Sequence, residues 1–150
     1  MADLDPHFRA TRIIAAAMIV SLVVYAALIE LIKIQFAPFR GFARFPEELL
    51  RVLRLALLAT ALVEVGLIRI LRRALTAARP GAAAPGPRLQ TASVVTFGLC
   101  ESVGIFGVVL FVTFGSSADF YLFLVLSLGL FAFYFPRRDQ WEEWARQAGR

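Results

Sequence analysis

The sequence predicts an all-α integral membrane protein built as a single domain of four transmembrane helices. Of its 150 residues, 59% are hydrophobic and only 18% are charged, and the mean hydropathy of +0.72 lies above the balance of a soluble domain. A spanning helix needs about 20 residues to cross roughly 30 Å of hydrocarbon. Four apolar runs approach that length, at residues 13–32, 49–71, 92–114 and 120–135.

The first run is interpreted as a helix of the mature protein. A secretory signal peptide has a shorter apolar core, of about 7 to 15 residues, followed by a small-residue cleavage site. Here the apolar stretch continues to Ile32, and no such site follows where it ends at Lys33. Glu30 lies three residues before Lys33, a spacing that predicts an ion pair on one face of the helix.

The segment before the second run has phenylalanines at a spacing of three, which predicts that their rings share one side and enter the membrane interface. These are Phe36, Phe39, Phe42 and Phe45. Pro46 is expected to open the second helix, because proline is tolerated in a first turn. Glu47 and Glu48 then lie at the positive end of the helix dipole.

A central segment, residues 74–90, is predicted to link two helical hairpins. Its part from 78 to 88 contains three prolines and two glycines, a composition that favours a flexible loop over a helix. Arginines concentrate in this linker, in the two positions just before it and in both termini, so the positive-inside rule places all three segments in the cytoplasm of a bacterial-type plasma membrane. They are Arg9, Arg12, Arg72, Arg73, Arg79, Arg88, Arg137, Arg138, Arg146 and Arg150.

The tail, residues 137–150, is predicted to be a short interfacial helix. Trp141 and Trp144 lie three residues apart, and Arg137 and Arg138 precede them. Tryptophan and arginine at the end of a span are typical anchors at the membrane interface.

The residue inventory favours no enzymatic chemistry. His7 is the only histidine and Cys100 the only cysteine, so neither a histidine or thiolate metal site nor a Ser-His pair is expected, and no cofactor is predicted. The net charge of +5 is attributed to membrane topology and lipid headgroups, with no nucleic-acid partner.

One carboxylic acid interrupts the third run. Glu101 lies ten residues into it, about 15 Å deep, where a charged carboxylate facing lipid costs several kcal/mol. We therefore expect it to be protonated, paired or turned toward protein. Gly98, Gly104 and Gly107 lie on or beside its face and are predicted to let another backbone approach closely.

A second acid, Glu64, interrupts the second run at about 10 Å from the cytoplasmic end. It is therefore within roughly one helical turn of Glu101 in depth. Two arrangements are open: Glu64 meets Glu101 and shares a proton with it, or it pairs with Arg54 or Arg69.

The chain also contains a modest internal match. A shift of 81 residues aligns residues 18–29 with residues 99–110, so that Ser21 matches Ser102 and Tyr25 matches Phe106. Apolar helices align easily with one another, so a true duplication and a chance match stay equally open.

The stretch "TASVVTFGLCESVGIFGVVLF" resembles the proteolipid (c or K) subunits of rotary F- and V-type ATPases. The resemblance implies that Glu101 carries the transported ion, with Ser102 and Glu64 as tuning groups, in a homo-oligomer or a subunit of a larger complex. Few further oxygen ligands lie nearby, which favours a proton over sodium. The alternative is a non-catalytic accessory subunit in which the buried acids serve helix packing.

Overall fold

Four α-helices run up and down side by side. The computed structural model describes residues 4–42, 45–76, 85–139 and 141–143. The helices are α1 (Leu4–Gln35), α2 (Glu47–Thr76), α3 (Pro85–Phe114) and α4 (Ser117–Tyr134). No strand occurs among the described residues, so the predicted all-α class is confirmed.

Three of these helices are long and apolar enough to cross a membrane. They are α1 over Asp5–Gln35, α3 over Gly86–Phe114 and α4 over Ser117–Tyr134. The helix α2 is of similar length but carries eight charged residues among its thirty. By length and composition, three crossings are therefore supported where four were predicted.

The helices extend beyond the apolar runs, most clearly at the start of α3. That helix begins at Pro85, inside the segment predicted to be non-helical. Proline is accepted there because the first-turn N–H groups have no partner within the helix in any case. The rest of the predicted linker, residues 77–84, lies outside the described residues.

The central helix is α3, which packs against α1, α2 and α4. Within the described residues α1 and α2 are not a principal packing pair, so the predicted first hairpin is replaced by separate contacts of each helix with α3. A Cβ atom at Gly107 would lie 2.9 Å from the Phe120 carbonyl oxygen, and one at Gly104 would lie 2.5 Å from the Leu22 side chain. These two glycines therefore permit the close approach that was predicted.

Gly98 does not share that role. It is exposed, and a Cβ atom there would meet nothing within 4 Å. Within the described residues Gly98 contacts no other helix, because it lies on a face of α3 that none of the described helices covers; its predicted packing role stays a prediction. Val95, Ile105 and Val109 are exposed on the same face.

The loop between α1 and α2 is fastened to the end of α3. Gly41 (φ 85°) and Gly115 (φ 71°) both have positive φ, which only glycine adopts without strain, and a Cβ at Gly115 would lie 2.8 Å from backbone atoms of Arg40 and Gly41. The Phe42 N–H donates to the Val112 carbonyl over 2.9 Å.

The phenylalanines of this loop differ in their burial, although the Phe39 and Phe42 rings meet edge-on at 5.1 Å. Phe39 stacks on Phe111 with ring centroids 4.9 Å apart, whereas the other three, Phe36, Phe42 and Phe45, are exposed. The prediction of one common interfacial side is therefore wrong for Phe39, which the loop turns inward onto the end of α3.

At the opposite end the tail folds back onto α1. Trp141 is only 3% exposed and meets the Phe8 ring edge-on at 5.4 Å. Arg138 contacts Asp5 over 3.1 Å and Glu142 over 3.0 Å, while Arg137 is exposed. Of the predicted interface anchors, Trp141 thus packs against protein, and Trp144 lies outside the described residues.

Candidate functional site

The acid Glu101 is directed from the middle of α3 toward α1. Its carboxylate accepts a hydrogen bond from the Ser21 hydroxyl and a longer one, 3.4 Å, from the Tyr25 hydroxyl. All three side chains are half-buried. Ser21 and Tyr25 are four residues apart and so lie one above the other on the same face of α1. Glu101 therefore has the polar protein contacts that an acid at this depth requires.

The acid Glu64 is directed from the middle of α2 toward α3. It accepts a hydrogen bond of 2.9 Å from the Ser102 hydroxyl, and both side chains are half-buried. Since Ser102 follows Glu101 directly, the two acids lie at the same level of the bundle, as their sequence positions predicted. The two hydrogen-bonded contacts lie on different sides of α3, because the adjacent residues Glu101 and Ser102 point about 100° apart.

The two serines have matching surroundings. Ser21 also lies 2.7 Å from the Met18 carbonyl oxygen, and Ser102 lies 2.8 Å from the Leu99 carbonyl oxygen. Each hydroxyl thus has a carboxyl group on one side and the carbonyl three residues earlier on the other. The 81-residue shift aligns these two serines, yet a duplication stays a prediction.

Neither arrangement that the sequence left open for Glu64 occurs among the described residues. No hydrogen bond or ion pair joins it there to Glu101, Arg54 or Arg69. Instead Arg54 pairs with Asp119 at the start of α4: its Nη2 donates over 2.8 Å and its Nε lies 2.7 Å from the other carboxylate oxygen. Sequence reasoning missed this pair because nothing local connects two residues 65 positions apart.

Asp119 is the more deeply buried residue of this pair. Its side chain is 5% exposed, against 41% for Arg54, and Ser116 donates to it over 2.5 Å. A buried carboxylate needs such partners, because water no longer solvates it. The pair fastens the first third of α2 to α4 at the end opposite the chain termini.

The ion pair predicted between Glu30 and Lys33 is confirmed, with 2.8 Å between the charged atoms. The Tyr121 hydroxyl of α4 also donates to Glu30, a contact that the sequence did not predict. Lys33 lies 5.9 Å from the centre of the Tyr121 ring. This cluster joins α1 to α4 near the same end as the Arg54–Asp119 pair.

The uncovered face of α3 (Val95, Gly98, Ile105 and Val109) lies beside both acids. Gly98 and Ile105 are each three or four residues from Glu101 and from Ser102, so they border both positions on the helix surface. This face is open to the surroundings of the bundle. Groups outside the bundle can therefore contact α3 at the level of the two acids.

Comparison with known proteins finds no family model that matches the chain, and neither a curated protein nor a solved structure matches it.

Proposed function

We propose that this protein is a proteolipid-like membrane subunit that binds and releases a proton on Glu101 as part of an ion-translocating assembly. Glu64 is the second proton-binding carboxyl, and Ser102 and Ser21 are the hydrogen-bonding groups that hold the two acids in place. The proposed assembly contains further copies of the chain or unlike subunits, which would cover the exposed face of α3 beside the two acids.

The observation that carries this proposal is the hydrogen count around the two serines. A serine hydroxyl has one hydrogen to donate, yet each of these hydroxyls lies within hydrogen-bonding distance of two acceptors, a carboxyl oxygen and a carbonyl oxygen. While the acid is ionised it accepts from the serine. When the acid binds a proton it can instead donate to the serine, which is then free to donate to the carbonyl, so both forms of the carboxyl group have a hydrogen-bond partner.

A four-span topology accompanies the proposal, with both termini in the cytoplasm of a bacterial-type plasma membrane. Support for a crossing by α2 comes from its contacts along α3 and α4: Arg54 reaches the start of α4 at one end, Glu64 reaches Ser102 midway, and the Leu75 carbonyl accepts from Arg88 over 3.3 Å at the other. A helix that lies along an apolar spanning helix over this length shares its depth. Most of the arginines among the described residues lie at the termini end, as the positive-inside rule expects of a cytoplasmic side.

A second candidate function is that of an accessory subunit in which the acids only join helices. One observation favours it: Glu101 links α3 to α1, and Glu64 links α2 to α3. The two functions make different demands on the carboxyl group. Helix packing needs a hydrogen-bonding side chain of this size, which glutamine also provides, whereas proton binding needs an acid.

The test is labelling of the full chain in membranes with dicyclohexylcarbodiimide, an apolar reagent that modifies protonated carboxyl groups. We expect modification of the peptide that contains Glu101, with a rate that falls as pH rises because the reagent needs the protonated acid. The variant E101Q should lose this modification while keeping its helix content and thermal unfolding midpoint. The matched control E30Q removes an acid outside the site and should leave the labelling of Glu101 unchanged.

Two outcomes contradict the proton-binding function. One is the absence of carbodiimide modification at Glu101 in the folded wild-type chain. The other is modification with a rate that does not depend on pH. Either result, with E101Q folding normally, would favour the accessory subunit.

A further inference from the structure

A cleft at the termini end of the bundle combines basic and apolar side chains. It lies between the start of α1 and the residues that follow α4, and its volume is about 530 Å³. Arg9, Arg12 and Arg138 line it together with one acid, Asp5. We call it the arginine cleft.

The charges in the arginine cleft are not balanced. Arg138 is paired with Asp5 and Glu142, which neutralises it. Arg9 and Arg12 make no ion pair with any residue that the structure describes, and both are exposed. Arg12 instead lies 6.0 Å from the centre of the Phe8 ring. Two guanidinium groups, one turn apart on α1, therefore remain available to an anion.

The rest of the lining is apolar and continues toward the middle of α1. Phe8 and Phe135 form two sides, and Ile13 and Ala16 extend the wall to about one helical turn beyond Arg12. A free phosphate ion would use the guanidinium groups alone. A ligand that has an anionic head and a hydrocarbon chain would use both parts of the cleft.

We propose that the arginine cleft binds an acidic phospholipid, with the phosphate group on Arg9 and Arg12 and an acyl chain along Ile13 and Ala16. Guanidinium groups suit phosphate because they offer several donors in a fixed plane. Basic pockets between membrane helices are a known way of holding acidic lipid headgroups. This inference does not depend on proton binding at Glu101.

The test uses Trp141, which lies against Phe8 in the cleft lining. In a W144F background it is the only tryptophan, so its fluorescence reports on lipids near the cleft. The full chain is reconstituted in phosphatidylcholine vesicles that contain brominated phosphatidylglycerol or, in parallel, brominated phosphatidylcholine, because bromine quenches nearby tryptophan. We expect half-maximal quenching at an about tenfold lower mole fraction of the acidic lipid, since each arginine contributes on the order of fivefold and Asp5 opposes them.

Variants assign this preference to the cleft. R9A/R12A should bring the ratio of the two lipids close to one, whereas R9K/R12K should keep most of it. The matched control R69A/R73A removes the same charge from exposed positions on α2 and should keep the tenfold ratio.

Three results would overturn the proposal. The first is equal quenching by the two lipids in the wild-type chain, a comparison that needs no variant and so holds even if a variant misfolds. The second is equal loss of the preference in R9A/R12A and in the control, which would indicate a general effect of charge. The third is abolition of the preference by millimolar inorganic phosphate, which would identify the free ion as the ligand.

Discussion

Glu101 and Glu64 lie at one level of the bundle, yet their surroundings differ. Glu101 belongs to the central apolar helix α3 and has two donors, Ser21 and Tyr25. Glu64 belongs to the charged helix α2 and has one donor, Ser102. Glu101 is therefore held in place mainly by hydrogen bonds from α1. The position of Glu64 depends more on the other contacts of α2, such as the Arg54–Asp119 pair.

The largest effect that separates the two acids is expected from R54A. Among the described residues, removal of this guanidinium leaves the buried Asp119 carboxylate with the Ser116 hydroxyl alone, which should cost about 3 kcal/mol of unfolding free energy. Because the pair fastens α2 alone, we expect carbodiimide labelling to change at Glu64 and not at Glu101. Detergent-induced unfolding and peptide mass analysis measure the two effects.

The control for R54A is R51A, one turn earlier on α2. Arg51 is exposed and makes no ion pair within the described residues, so its loss should change stability by less than about 0.5 kcal/mol. If R54A and R51A were equally mild, the Arg54–Asp119 pair would not be what holds α2 in place.

The second-largest effect is expected from G104A, which changes the helix packing beside Glu101. In G104A the new methyl group would lie 2.5 Å from the Leu22 side chain and 3.3 Å from the Ser127 hydroxyl. The buried Leu22 side chain must then move and Ser127 must give slightly, at a cost of about 1–2 kcal/mol. The labelling rate at Glu101 should change more than that at Glu64, because Leu22 neighbours Ser21. Unfolding in detergent gives the cost.

G98A is the matched control, since the same methyl group on the same helix meets nothing within 4 Å. It should be neutral or slightly stabilising, because alanine favours a helix more than glycine does. A destabilising G98A would indicate that the uncovered face of α3 is occupied in the assembled protein.

The smallest effects compare the donors themselves. S102A leaves Glu64 without a hydrogen-bond donor among the described residues, so we expect a loss of about 1 kcal/mol. In S21A the Tyr25 hydroxyl still donates to Glu101, so the loss of unfolding free energy should be smaller. Y25F should cost the least, because the hydrogen bond from Tyr25 to Glu101 is long, at 3.4 Å. Unfolding free energies of the three variants in one detergent test this order, and the reverse order would show that Glu101 is the less well supported acid.

The helical class and the level of the two acids could be predicted from the sequence, because both depend on run length and on the rise per residue. The Glu30–Lys33 pair could be predicted for the same reason, as it lies within one helix. The partners of Glu101 could not, since which face of α1 meets α3 is decided by packing among helices that are apolar on nearly every side. The Arg54–Asp119 pair depends on how α2 approaches α4, which no local spacing contains.

The three glycines of α3 were predicted to have the same role in helix packing, but their surroundings differ. Gly98, Gly104 and Gly107 look alike in a linear pattern, but among the described residues Gly104 and Gly107 face another helix and Gly98 does not. Whether a small residue marks a contact depends on the direction of the neighbouring helix. The sequence likewise does not show which way each helix faces. A hairpin between α1 and α2 was predicted, whereas in the structure each of these helices packs mainly against α3.

The adjacency of Glu101 and Ser102 has a mechanical consequence. The two residues are rigidly offset on one cylinder, so any rotation of α3 about its axis moves both by the same angle. A turn that carries Glu101 away from α1 necessarily changes the distance between Ser102 and Glu64 as well. Rotation of α3 therefore cannot change the surroundings of one acid without also changing those of the other.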